Sequence, residues 1–294
     1  MTVENPEVSV IIPTYNRKHL IGKAIDSVLH QTYKDYELII VDDGSTDGTA
    51  EWIKATYPNV RLVRCEVNRG SASVRNDGIR LATGKFIAFI DSDDEWKPAF
   101  LETQVKALKD NPEAVLSYCD YTEVKTDGFQ FTHNLKPWRS YPNLTHQLLM
   151  DNIIHTMSLV IIRRETLLQA GLLNEALKIS HDRELYLRLL YWGKIIHVPQ
   201  SLVLKMTHEG NIVGNYRRWA KEVLMVLDIF FADERSQPYK YLEAEAKSHW
   251  SFKLAKRIWQ EKRDGFFALP MIIQALWFSP NLLVKRVRNK LKSK

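Results

Sequence analysis

The stretch from Lys85 to Pro98, KFIAFIDSDDEWKP, constrains this chain more than any other. Phe86 to Ile90 is apolar and partly β-branched, the composition of a buried strand, and it runs straight into Asp91-Ser92-Asp93-Asp94. Three carboxylates in four residues repel one another unless a cation shares them. A strand that meets acid at its carboxyl end is what an open α/β sheet presents where it binds ligand. In an extended backbone Asp91 and Asp93 point to the same side, because strand side chains repeat every second residue. They can then share one hard divalent ion, Mg2+ or Mn2+, with a diphosphate completing the shell. Taken alone, the same residues also read as a solvated acidic turn capping a helix that begins near Pro98.

The flanking sequence supplies the frame for that strand. Val8 to Pro13 is a continuous apolar strand, and Leu20 to Gln31 follows with Leu20, Ile21, Ala24, Ile25, Val28 and Leu29 on one helical face. Tyr36 to Val41 is a second strand, ending at Asp42-Asp43-Gly44-Ser45-Thr46-Asp47, where Gly44 permits a turn and Asp47 or Ser45 can cap the helix through Trp52 to Tyr57. Val60 to Arg64 is a third strand, and Asn68 to Ser71 turns into a helix over Ala72 to Ala82. Four strands alternating with three helices predict an α/β fold with a Rossmann-like, mostly parallel sheet whose strand ends share one edge.

Polar clusters at three of those strand ends compose a nucleotide site. Asp42 can accept from a pyrimidine N–H, Tyr15 can stack on a base, and Arg75 can meet phosphate. Each has a plainer role as well: Asp42 and Asp43 as a helix-entry turn, Tyr15 and Asn16 as loop, Arg75 as a solvated helix residue. No GxGxxG follows the first strand and no GxxxxGK[ST] occurs, which argues against dinucleotide and P-loop binding.

The phrases VSVIIPTYNR, ELIIVDDGSTDGT and NRGSASVRNDGIRLATGKFIAFIDSDDEW, in that order across residues 8 to 98, resemble the nucleotide-binding half of glycosyltransferase family 2, which has the GT-A fold. The resemblance implies an inverting, metal-assisted transferase that takes a sugar from a nucleotide-diphosphate donor, uridine-linked, to an acceptor hydroxyl on a carbohydrate or a lipid-linked carrier. It implies a base pocket lined by Pro13, Thr14, Tyr15, Asn16 and Arg17, with Asp42 pairing with the base and Asp91 near the ribose. Asp43, Gly70, Arg75 and Ser92 complete the donor site. Asp93 is the implied metal ligand, with Asp91 or Asp94 as a second. Further on, SHDRELYLRLL resembles the family's catalytic acidic motif, with His181 where many relatives carry Glu. Asp182 is then the general base, although as a lone feature it reads as a helix N-cap. His208, in THEGNI, corresponds to a loop that closes over the donor and touches diphosphate or metal.

The predicted organisation is a transferase domain over 1–215, divided at 98 into a nucleotide half and an acceptor half, and a helical extension over 216–294. Within the acceptor half, Leu101 to Leu108 is a helix, Val115 to Tyr121 and Ser158 to Ile162 are strands, and Lys194 to Pro199 and Leu202 to Met206 are two short strands. Thr122 to Tyr141 reads as a ribbon or loop, with Trp138 and Arg139 as candidates to face a sugar. Trp250 to Lys294 carries eleven Lys or Arg against Glu261 and Asp264, so 11 − 2 = +9, and the chain's +6 leaves 6 − 9 = −3 for residues 1–249. A basic surface confined to the tail excludes a nucleic-acid partner for the body and suits an anionic membrane face. Cys65 and Cys119 lack metal spacing and read as free thiols of a reducing compartment, and the acidic start of the chain lacks a basic leader. The expected location is cytoplasmic, peripheral at the membrane face. A non-catalytic nucleotide-sugar-binding module of the same fold is the alternative. A nucleotidyltransferase and a carboxylate phosphatase fit less well, because PTYNRKH lacks glycines and the DxD falls on the fourth strand.

Overall fold

The computed structural model describes residues 6–135, 143–207 and 215–279. The first half of the sheet is all parallel. Strands β1 (Val8–Thr14), β2 (Tyr36–Asp42), β3 (Arg61–Arg64) and β4 (Phe86–Phe89) lie in the order β3-β2-β1-β4 and alternate with helices α1 (Ile21–Leu29), α2 (Thr49–Thr56) and α3 (Ser71–Leu81). Every residue of β1 and β4 is buried, as in a parallel sheet covered on both faces. Ile21, Ala24, Ile25 and Val28 form the buried stripe of α1, at the helical period read from the sequence.

Beyond β4 the sheet becomes mixed. Strand β5 (Asp94–Trp96) begins at the last of the acids, helix α4 is Phe100–Asp110, and β6 (Ala114–Lys125), β8 (Val160–Arg163) and β9 (Lys194–Thr207) complete the order β4-β8-β6-β9-β5, with β7 (Gln130–His133) off that path. Of these contacts only β6 with β9 is parallel, and β7 forms an antiparallel hairpin with the far end of β6. The chain therefore leaves the centre of the sheet at β4 and rejoins it at the far edge as β5. The acidic residues span that departure.

Several elements differ from the sequence expectation. Lys194 to Met206 is one strand rather than two, because Pro199 falls where the pairing with β6 shifts register between Cys119/Val198 and Asp120/Ser201, so no ladder hydrogen bond is lost to the proline. Of the segment from Thr122 to Tyr141, the described part up to His133 is the β6–β7 hairpin, and helix α5 (Leu144–Met150) has no strong sequence signal. Trp138 and Arg139 lie outside the described residues. Helix α6 (Arg164–Ala170) ends at Gly171, and α7 (His181–Leu189) starts at the acidic motif.

The chain resolves into two compact units. The first holds the sheet and takes in the described residues 6–135 and 153–207. The second takes in 143–152 with 215–279, so α5 groups with the C-terminal helices α8 (Tyr216–Ala232), α9 (Glu243–Arg257) and α10 (Gly265–Phe278). Within that unit Trp250 is buried and donates its indole N–H to the carbonyl of Leu149 at 2.8 Å. Helix α10 is inverted relative to a soluble amphipathic helix: its buried residues are Ala268, Met271 and Ala275, while Phe266, Leu269, Ile273, Leu276 and Trp277 are exposed. Small inward residues let the backbones approach, and Ser248 Oγ donates to the Ala275 carbonyl at 2.9 Å. Among the described residues no helix is long and apolar enough to cross a membrane.

Gly44 shows how tightly the strand-end loops are packed. Its φ is +74°, a left-handed conformation, and a Cβ there would sit 3.0 Å from the Val67 carbonyl carbon. Gly44→Ala is expected to lower stability by about 1–3 kcal/mol, measured by urea unfolding. An unchanged midpoint would mean that the loop relaxes without strain.

Candidate active site

Three loops at the strand ends are laced together by carboxylates. Asp42, at the end of β2, has no exposed surface, and its oxygens accept from the Ser45 N–H at 3.2 Å and from the Ser45 hydroxyl. Ser45 Oγ in turn accepts from the Asn16 N–H at 2.8 Å, and Asn16 Oδ1 accepts from the Thr46 N–H at 2.8 Å, with Asn16 itself left-handed at φ 51°. Asp43 reaches the other way, accepting from the N–H groups of Arg69 and Gly70, both at 2.8 Å. Burial pushes the Asp42 carboxyl above its ordinary range, while Ser45 and Arg64 pull against it. Asp42 and Asp43 thus hold the strand-end loops together from within, and the Ser45 N–H and hydroxyl occupy Asp42 in this structure. Tyr15 is exposed beside them, whereas Thr14 is buried with no hydrogen-bond partner for its hydroxyl.

The acidic turn departs from the extended geometry expected of it. Ser92 and Asp93 are the centre of a β-turn closed by the Asp94 N–H on the Asp91 carbonyl at 3.0 Å. Turn geometry, not strand alternation, brings the carboxylates of Asp91, Asp93 and Asp94 to within 4.8 Å of one another. Two neighbours hold them from below. Thr156 Oγ1 donates to Asp91 at 2.8 Å, and Ser158 Oγ donates to Asp94 at 2.6 Å while accepting from the Asp91 N–H at 3.0 Å. The Met206 N–H donates to the second oxygen of Asp94 at 3.2 Å.

Charge divides the acids. Burial raises the Asp91 carboxyl, but the Arg75 guanidinium and Thr156 win and hold it below the ordinary range. Burial together with the charges of Asp91 and Asp93 pushes Asp94 well above that range. Crowded, oxygen-only donors of this kind fit a hard divalent cation, which relieves the like-charge repulsion that the protein alone leaves in place.

Arg75 connects this turn to α7. Its side chain is buried, ion-paired with Asp91, bonded to the Ser71 hydroxyl and to the Ser71 carbonyl at 3.1 Å, and 3.4 Å from His181 Nε2. It is no solvated helix residue. His181 is buried beside this cation, and burial and Arg75 lower its pKa to about 3, so the imidazole stays neutral. Ser180, not Asp182, occupies the N-cap position of α7. Asp182 lies inside the first turn and accepts from the Arg183 N–H at 2.7 Å. Burial raises its pKa to about 6, against the pull of that N–H and of Arg75, with Asp91 adding repulsion.

The structure thus brings Asp91, Asp93 and Asp94 together in one turn, with Ser92 buried in it, and ties that turn through Arg75 to His181 at the start of α7, where Asp182 also lies. Pro13 to Arg17, Asp42, Asp43 and Gly70 form the adjoining laced loops. His208 lies outside the described residues. Sequence reasoning missed Thr156 and Ser158, which are unremarkable until folding places them under the acids. It also missed Tyr186, whose buried hydroxyl has no hydrogen-bond partner and feels the charges of Asp182 and Asp91. The i, i+4 spacing from Asp182 to Tyr186 was the available signal.

The family model described as Glycosyl transferase family 2 matches residues 9–168. An uncharacterised glycosyltransferase of Rickettsia prowazekii is 33% identical over 216 residues, covering 70% of this chain and 65% of the relative. The chain therefore spans less than two thirds of that relative's length. The Escherichia coli UDP-Glc:alpha-D-GlcNAc-diphosphoundecaprenol beta-1,3-glucosyltransferase WfgD is 41% identical over 105 residues, covering 35% of this chain and 42% of that protein. Among solved structures, the mannosyltransferase PcManGT from Pyrobaculum calidifontis, in complex with GDP-Man and Mn2+, aligns with a TM-score of 0.66 and 22% identity, covering 99% of this chain and 81% of that one. That likeness shows the GT-A fold.

A carboxyl whose pKa is raised from 3.8 to about 6 in the folded protein binds its proton more tightly there than in the unfolded chain. Its ionisation subtracts stability as pH rises from about 4 to about 6, with the full cost present above that. Asp182→Asn is therefore expected to stabilise the metal-free protein by about 1–3 kcal/mol at pH 7.5, with the advantage fading near pH 4. Thermal melts at both pH values check this. An equal difference at the two would show that Asp182 is not desolvated.

Proposed function

Because the chain belongs to glycosyltransferase family 2, we propose that it transfers a sugar from a nucleoside diphosphate donor, a uridine diphosphate sugar, to an acceptor hydroxyl with inversion at the anomeric carbon. The observation that carries this is a crowded acidic turn linked through Arg75 to the start of α7: carboxylates that could take a cation on one side, and a carboxylate with a pKa of about 6, Asp182, on the other. Asp93 and Asp91 would hold Mg2+ or Mn2+, which neutralises charge on the leaving diphosphate when bound. Asp182 accepts the proton of the acceptor hydroxyl as its oxygen attacks the anomeric carbon, and the bond from that carbon to the diphosphate oxygen breaks. The uridine donor and a lipid-linked carbohydrate acceptor are supported by what WfgD's name states of that enzyme. Pro13 to Arg17 would flank the base.

The outward face of α10 supports a location at an anionic membrane surface. Phe266 is 93% exposed and Trp277 79%, and the sequence that follows carries Lys285, Arg286, Arg288, Lys290, Lys292 and Lys294. Large apolar residues on one helical face next to basic residues match an interfacial anchor.

Uridine diphosphate binding and sugar transfer from a panel of uridine diphosphate sugars test the reaction. Asp93→Ala is expected to remove the Mn2+ dependence of uridine diphosphate affinity. Asp182→Asn is expected to lower turnover by ~10²–10⁴-fold at nearly unchanged affinity, and wild-type kcat/KM should fall below pH 6. Wild-type turnover in Asp182→Asn would remove it from the mechanism, and nucleotide-sugar binding without transfer to any acceptor would leave a binding module. For the membrane face, replacing Phe266 and Trp277 together with Ser should release the protein from phosphatidylglycerol vesicles in co-sedimentation. Equal sedimentation of both forms would refute the anchor.

A further inference from the structure

The register of the sheet lays a second track away from the acids. On one face Asp94 of β5 stands opposite Lys205 of β9, Lys205 opposite Glu123 of β6, and Glu123 opposite Phe131 of β7. At about 4.8 Å per strand, this row extends roughly 14 Å from Asp94 to Phe131. In the neighbouring register Tyr121 stands opposite His133, and their rings stack at 4.5 Å with 9° between planes. Phe131 meets His133 edge-on at 4.9 Å, and 55% of its surface is exposed. The exposed His155 takes a 2.8 Å hydrogen bond between its Nδ1 and the Tyr121 hydroxyl, and the next residue, Thr156, is the one that holds Asp91.

The polar groups of this track are fixed in place. Glu123 accepts from Thr207 Oγ1 at 2.9 Å and lies 2.9 Å from His133 Nε2. The His133 bond and the Lys205 charge help keep its carboxyl below the ordinary range, so it stays an ionised acceptor. An exposed phenyl on an edge hairpin contributes little to folding, since it remains largely in water. A ring surface beside an ordered carboxylate and imidazoles instead has the make-up of a ligand site, apolar with a few fixed polar groups. Its continuity with the acids through Lys205 and the 155–156 segment ties it to the same reaction.

We propose that this track binds a pyranose ring of the acceptor, with the C–H face of the sugar on Phe131 and His133 and its hydroxyls on Glu123 and His155. The proposal rests on the sugar-transfer reading above and adds the subsite where the acceptor glycan lies. A pyranose suits the surface because it presents an apolar face of axial C–H groups and a rim of hydroxyls, and the track offers rings and acceptors in the same arrangement.

Saturation-transfer NMR with methyl α-glucoside, methyl α-galactoside and methyl α-N-acetylglucosaminide, alongside uridine diphosphate with Mg2+, tests it on the full chain. At least one glycoside is expected to receive saturation on its ring C–H protons. Phe131→Ala should reduce that signal about fivefold, the loss of roughly 1 kcal/mol of ring contact, and Phe131→Trp should restore it. The uridine diphosphate signal should be the same in all three proteins. Equal glycoside saturation in wild type and Phe131→Ala, or none from any glycoside while uridine diphosphate binds, overturns the subsite. Absence of the uridine diphosphate signal in wild type would overturn the donor reading separately, and Phe131-dependent glycoside binding would still support the track.

Discussion

The ion pair between Arg75 and Asp91 is the contact on which the site's arrangement depends. One buried guanidinium from α3 reaches the acidic turn through Asp91, its own helix start through Ser71, and the start of α7 through His181. Removing one partner of such a pair strands a charge in a poorly solvated place and typically costs about 3–5 kcal/mol. A lysine could not substitute, because a single ammonium lacks the planar fork that meets several acceptors at fixed angles. The same cation sets the electrostatic difference between two carboxyls. It stabilises the charge on Asp91 directly, and only partly offsets the desolvation of Asp182, which is why one is held below its ordinary range and the other rises to about 6.

The topology explains why the acids can be held so closely. Where β4 ends in the middle of the sheet, the chain turns and reappears as the edge strand β5. That departure leaves a gap at the sheet centre, and the antiparallel strand β8 fills it against β4. The turn leading into β8 carries Thr156 and Ser158, so the segment that closes the sheet also supplies the hydroxyls under Asp91 and Asp94. Met206, near the end of the strand that pairs with β5, adds a backbone donor. Second-half strands thereby support acids that belong, in sequence, to the first half.

Much of the first half was legible in the sequence because its signals are local. A continuous apolar run such as Val8 to Pro13 and a 3.6-residue stripe such as Ile21 to Val28 have few competing interpretations, and the acids after Phe89 announced a polar strand end. The missed features depend on contacts distant in sequence. Alternation placed Asp91 and Asp93 side by side on an extended strand, but a hydrogen bond from Asp94 to Asp91 made a turn instead. Arg75 could not be told from a solvated helix residue until Asp91 and His181 came to it from 16 and 106 positions away. The apolar composition of Phe266 to Phe278 likewise does not reveal that Ala268, Met271 and Ala275 face inward while Phe266 and Trp277 stay exposed.

Strand-end acids are therefore poor predictors of chemistry until their donors are known. Asp42 is satisfied by Ser45, Asp43 by two backbone N–H groups, and Asp91 by Arg75 and Thr156, so each of these carboxylates holds loops or helices in place. Asp182 is different. Among the described residues it accepts a single backbone N–H, that of Arg183, and it sits where burial makes its charge costly. A buried carboxylate with little internal hydrogen bonding and a pKa of about 6 gains from taking a proton, the property that its proposed role as general base requires. The chain contains many acids with the sequence context of ligands; the donors around them separate carboxylates such as Asp42 and Asp43, which hold loops in place, from Asp182, which is left as a costly buried charge.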